Sequence, residues 1–141
     1  MINSVEFLSV DEACAFVPRC RTVAISMLSP KRVPAQLHSS IKEVLRLHFH
    51  DSVPADKNLV PEDYFSNAQA QQIIDFIRKH HASAESCHLL IHCEAGISRS
   101  AAVAVFAASE CRVPLSGQFA FLNPWVLTML VKTAYPHYAF D

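Results

Sequence analysis

At 141 residues the chain is sized for a single domain, 1–141, with a substantial core; its hydrophobic fraction is 51% and its charged fraction 18%, as in ordinary globular proteins. A net charge of −1 argues against nucleic acid or an anionic membrane as the main partner, because both select a basic surface. Residues 1–6 lack the basic flank and apolar run of a secretory leader, and no apolar stretch reaches the roughly 18 residues that span a bilayer. Five cysteines (Cys14, Cys20, Cys87, Cys93, Cys111) without a C-x-x-C pair point to a reducing, cytoplasmic setting rather than a disulfide framework.

In chain order, Ser4 to Val10 reads as a strand, and Asp11 as the cap of a short helix from Glu12 to Phe16. Thr22 to Leu28 is a β-rich apolar run, hence a buried strand ended by Ser29-Pro30. Pro30 to Ser40 is a surface loop, and Val44 to Phe49 alternates as a strand does. His50 to Val60 is a loop of functional length. Pro61 suits a first helical position, with Glu62 and Asp63 in its first turn, so a helix is expected from there to about His81. Its apolar stripe (Phe65, Ile73, Phe76, Ile77) is interrupted at Gln69. His88 to His92 is a strand and Arg99 to Cys111 a helix; Pro114 to Gly117 breaks the chain. Asn123-Pro124 then caps a last helix, Trp125 to Ala134, whose apolar stripe reads as core. Alternating strands and helices give an α/β domain with a mostly parallel central sheet, flanked by helices on both faces. Ligands bind such sheets beyond the carboxyl ends of the strands, and the segment after His92 lies at one.

That segment, His92-Cys93-Glu94-Ala95-Gly96-Ile97-Ser98-Arg99-Ser100, carries the chemistry. Strand, short loop and helix make an anion cradle, because the free N–H groups of a helix start point at the ligand. The chain has only two glycines, against about 7% in average usage, and one of them, Gly96, is mid-loop. A backbone that wraps an anion needs such a residue for positive φ or close approach. Only a thiolate attacks, and a helix start and a nearby cation both favour it; Cys93 has the loop amides and Arg99. Arg99 offers a planar fork for two phosphate oxygens. The Ser100 hydroxyl could donate to the sulfur, and the His92 imidazole could brace the loop.

His92-Cys93-x-x-Gly96-x-x-Arg99-Ser100 resembles the signature of the cysteine-dependent protein tyrosine phosphatases, particularly the small dual-specificity type. The wider pattern, Leu47-His48-Phe49-His50-Asp51, Pro61, Asp75-Phe76-Ile77 and the loop itself, is similar to small bacterial members of that superfamily. The resemblance spans about Thr22 to Cys111, with an echo at Asn123-Pro124. It implies a phosphomonoester hydrolase with a protein tyrosine phosphatase-like fold, working without metal or cofactor through a cysteinyl-phosphate on Cys93. Arg99 and the loop His92, Glu94, Ala95, Gly96, Ile97, Ser98 would bind the phosphate, and Ser100 would assist the sulfur. The general acid would be an upstream aspartate, Asp51 in the first place, with Asp56 on the same loop as the competitor. A catalytically silent phosphate-binding module is the alternative, and an arsenate reductase or sulfur transferase a more distant one.

Substrate choice is less marked. None of Glu94, Ala95, Ile97 and Ser98 is basic, and family members acting on inositol phosphates usually carry lysines there, so a phosphorylated protein or aryl phosphate is expected. No segment resembles the tyrosine-stacking loop of the larger enzymes, which implies a shallow pocket open to phosphoserine and phosphothreonine as well. Small relatives usually place a further helix before the Asn-Pro segment. Here 112–122, with Pro114 and Gly117, reads as a shortened or lost one, its pocket wall missing or supplied by a partner chain. The pairs His48/His50 and His80-His81 lack the third and fourth ligands of a zinc site and read as solvated or core histidines. Lys31, Arg32 and Arg46 read as solvated surface charges, and Cys87 and Cys111 as buried spectators rather than a redox guard for Cys93.

Overall fold

The computed structural model describes residues 1–53 and 64–137. Four strands, β1 (Ile2–Leu8), β2 (Thr22–Leu28), β3 (Val44–His48) and β4 (Cys87–His92), form an all-parallel sheet in the order β1-β4-β2-β3. β2 is buried along its whole length, and β4 everywhere but at His88, as inner strands covered on both faces should be. The edge strand β3 exposes Arg46 and His48. Four helices follow the chain: α1 (Val10–Ala15), α2 (Asn67–Ala82), α3 (Arg99–Cys111) and α4 (Pro124–Ala134).

The pleat divides the core. Val23, Ile25 and Met27 of β2 and Leu89 and Ile91 of β4 face Ile73 and Ile77 of α2, Val103 and Phe106 of α3, and Val126 and Leu130 of α4. Ala24 and Leu90 point the other way, against Ile41, Leu37 and Phe16. The expectation of helices on both faces is therefore met unequally. Three long helices pack on one face, while the short α1 and the irregular segment before β3 cover the other. Each fully buried Leu or Ile contributes roughly 1.5–3 kcal/mol, so the strand ends that carry the loop sit on a firm base.

Several boundaries differ from expectation. β1 starts at Ile2 rather than Ser4, and Ser9 rather than Asp11 caps α1: its hydroxyl accepts from Glu12 N, and Glu12 accepts from Ser9 N. α2 begins at Asn67, not Pro61, because Ser66 and Gln69 form a capping box. Gln69 interrupts the apolar stripe for that reason, and its amide also donates to His48 O at 3.0 Å. Pro61, Glu62 and Asp63 lie outside the described residues. As expected, 112–122 is not helical. Gly117, at φ +136°, lets the chain close over Phe7, where a Cβ would come within 2.7 Å of the ring. Phe119 packs on the same ring at 5.8 Å.

Candidate active site

The loop leaves β4 in the middle of the sheet, and its neighbour β1 backs it. Cys93 N donates to Leu8 O at 3.4 Å, and Val10 N to Glu94 O at 3.1 Å. Gly96 has φ +75°, and a Cβ there would sit 2.6 Å from Leu8 C, inside the β1–α1 turn. Both physical demands for glycine thus meet at one residue.

The Cys93 thiol is buried within this curl. Gly96 N donates to Sγ at 3.3 Å, and Ser100 Oγ lies 3.1 Å from it. Ser98 is the N-cap residue of α3, yet its side chain makes no cap bond, in contrast to Ser9, Ser66 and Asn123 on the other three helices. The first amides of α3 consequently lack the side-chain acceptor that the other helix starts have.

His92, fully buried, braces the loop from below. Its Nδ1 donates to Cys93 O at 3.1 Å, so its Nε2 accepts from the Ser26 hydroxyl at 2.6 Å. Burial holds this imidazole below the usual histidine range, keeping it neutral and in that tautomer.

Arg99, only 4% exposed, is gripped from three sides. Its Nη1 donates to Phe49 O at 2.8 Å and reaches Ser29 Oγ at 3.4 Å, and its Nη2 pairs with Glu94 Oε1 at 3.3 Å. Its Nε has no partner among the described residues. Glu94 is the centre of this clamp. It accepts from Ser29 N at 2.8 Å and pairs with Arg32 at 3.2 Å. Although partial burial opposes ionisation, the Ser29 bonds and the Arg99 charge outweigh it and bring the Glu94 carboxyl down to about 2. Arg32, expected to be a solvated surface charge, is thus part of the loop's support.

Asp51 follows β3 and lies across from the loop. Its Oδ1 accepts from Ser98 Oγ at 2.7 Å and from Asn123 Nδ2 at 2.8 Å, while Oδ2 has no hydrogen bond among the described residues. Asn123 ties three elements together. Its Oδ1 caps α4 through Trp125 N and Val126 N, its N donates to Ser98 O at 3.2 Å, and its amide also reaches Ser52 O. Asp56, the competing aspartate, lies outside the described residues.

The structure therefore gathers Cys93, Glu94, Gly96, Ser98, Arg99, Ser100 and Asp51 at the carboxyl end of the sheet, with His92 beneath. Ala95 and the half-exposed Ile97 complete the curl. Sequence reasoning missed Ser26, Ser29, the Phe49 carbonyl and the tethering role of Asn123; only the last had a signal, its cap position. Cys87 and Cys111 are buried in the core, and burial pushes both thiols up, Cys111 to about 11, as suits spectators. Among the described residues no three His, Cys, Asp or Glu side chains converge as a metal site requires, and no helix is long and apolar enough to cross a membrane. His80 is buried against Glu43 instead, at 2.9 Å.

A search of curated proteins finds no match. The family model described as protein-tyrosine phosphatase matches residues 36–126, from before β3 into α4 and across the whole cysteine loop. With residues 36–126, well over half of its length, matched, and an all-parallel sheet flanked by helices, the chain belongs to the protein-tyrosine phosphatase family.

Proposed function

We propose that this family member is an active, metal-independent phosphomonoester hydrolase that works through a cysteinyl-phosphate intermediate on phosphotyrosine and, with a shallow pocket, on phosphoserine and phosphothreonine. The observation that carries the reading is the setting of the thiol. It sits at the mouth of the one described helix without a side-chain cap, beside a buried arginine whose Nε has no partner among the described residues. A phosphate would supply acceptors for both. An unsatisfied buried donor costs roughly 1–3 kcal/mol, which favours a site shaped for an anion over a structural cysteine.

In the first step the Cys93 thiolate attacks phosphorus, the S–P bond forms, and the P–O bond to the leaving group breaks. Asp51, through the Oδ2 that makes no hydrogen bond among the described residues, gives that oxygen a proton. In the second step water attacks phosphorus, its proton passes to Asp51, and the sulfur departs as thiolate, helped by the Ser100 hydroxyl. Arg99 and the loop amides hold the charge that grows on the equatorial oxygens. Because this chemistry needs a reduced thiol, and all five cysteines are free, we place the protein in the reducing cytoplasm.

The test is hydrolysis of para-nitrophenyl phosphate near pH 6. Cys93→Ser should lower turnover by at least about 10⁴-fold. Asp51→Asn should slow alkyl phosphates by about 10²-fold or more, yet slow substrates with good leaving groups much less. Equal loss on both would remove Asp51 as the acid. No turnover, with phosphopeptide binding retained, would make the protein a silent phosphate reader instead.

A further inference from the structure

The sheet face covered by α1 carries a second cluster of reactive side chains, at the opposite end of β4 from the cysteine loop. His88 Nε2 lies 2.9 Å from Glu6 Oε1, and His88 Nδ1 lies 2.6 Å from Ser4 Oγ. A carboxylate only accepts hydrogen bonds, so the neutral ring carries its proton on Nε2 and donates to Glu6. Nδ1 is then the acceptor of the Ser4 hydroxyl. Hydroxyl, base and orienting carboxylate stand in sequence, the arrangement that activates a serine.

A slip in the strand register produces this alignment. Ile2 stands opposite Cys87, but Ser4, not Asn3, stands opposite His88. In unbroken register Ser4 would oppose Leu89 and point to the other face of the sheet. Bulges re-aim side chains in this way beside active sites. Phe16 stacks on the imidazole, with ring centroids 5.8 Å apart at 19°, and the histidine side chain is only 14% exposed. Ser4 is exposed and the Glu6 side chain is 39% exposed, so water satisfies both and neither needs His88 as a partner. A cavity of about 220 Å³ adjoins the cluster, lined by His88, Glu6, Phe16, Val17, Arg19 and Cys20 among others. Phe16 and the exposed Val17 give it an apolar side that fits a short hydrocarbon chain.

We infer that Ser4 is a second nucleophile of this protein, activated by His88 and Glu6, which accepts an acyl group from a short apolar ester. Ser4 Oγ attacks the carbonyl carbon and the new O–C bond forms, while the hydroxyl proton passes to His88 Nδ1. Glu6 stabilises the imidazolium. The C–O bond to the leaving group then breaks, and the departing oxygen takes the proton from Nδ1. Nothing in this step involves Cys93, so it stands apart from the phosphatase reading.

The test is exposure to para-nitrophenyl butyrate, an acid quench, and fragmentation mass spectrometry to locate butyryl groups after neutral hydroxylamine has removed any thioester on cysteine. Ser4 should be acylated about 10²-fold faster than any other exposed serine. His88→Gln should slow Ser4 acylation by about 10²-fold, and Glu6→Gln, which keeps the imidazole but removes the orienting charge, by about tenfold or more. Urea midpoints show which variants are folded, and either folded variant suffices. The inference is overturned if Ser4 reacts no faster than other exposed serines, or equally fast when His88 or Glu6 is replaced in a folded chain. Failure of the hydrolase reading would show elsewhere, as absent turnover of para-nitrophenyl phosphate, and leaves this result unaffected.

Discussion

Around Cys93 the loop is held by backbone. Leu8 and Val10 bond to it from β1 and α1, Gly96 is wedged against the turn between them, and the buried His92 props the carbonyl of the cysteine. Asp51 is held otherwise: it is exposed and meets the loop through two side chains, Ser98 and Asn123. The first arrangement suits a group that must meet phosphorus in a fixed line. The second suits a carboxyl that must first give a proton to one oxygen and then take one from another. In the proposed mechanism, rigidity at the nucleophile and side-chain tethering at the acid divide the work, since misplacement by an ångström costs far more at the bond-forming atom.

Breaking the backbone end should have the largest effect. Gly96→Ala forces a Cβ into Leu8 and Ser9 at a positive φ, so we expect a destabilisation of about 3 kcal/mol or more and loss of measurable turnover. Urea midpoints together with para-nitrophenyl phosphate assays check this, and a folded, fully active variant would show that the wedge is not essential. Glu94→Gln keeps an acceptor for Ser29 N but removes the charge that holds Arg99 and Arg32. Turnover should fall by about tenfold at pH 6, and stability should fall with it, because the variant loses the contribution of the ionised carboxyl. The sign of the pH effect follows from the Glu94 carboxyl, which lies near 2 in the folded chain and near 4.5 when free. Its contribution is complete above about pH 4.5 and is lost as pH falls toward 2, so the Gln variant should show a flatter stability profile in that window. The smallest change belongs to the acid end. Asn123→Asp keeps a good helix cap but replaces Asp51's donor with a like charge, so alkyl phosphates should slow by about tenfold while para-nitrophenyl phosphate changes little.

The loop was legible because its residues act where they stand in sequence: strand, glycine, arginine and helix start are one local unit. α3 and β4 were legible for the same reason. The grip on Arg99 was not, because its partners come from Ser29, at the end of β2, and Phe49, beyond β3. No pattern along the chain links those positions to a guanidinium. Glu94 was read as an acidic member of the phosphate-binding loop, which hid its work as a clamp on Arg99 and Arg32. The start of α2 was misplaced because Pro61 with two acidic residues has the sequence pattern of a helix start, whereas the capping box of Ser66 and Gln69 opens the helix five residues later.

β1 pairs with β4, and the turn after β1 underlies Gly96, so the first strand made and one of the last meet at the reactive thiol. Pairing strands so far apart in sequence costs loop-closure entropy that local contacts do not. The proposed nucleophile therefore depends on a strand from the far end of the sequence: without β1 and its turn, the backing that curls the loop around Cys93 is gone.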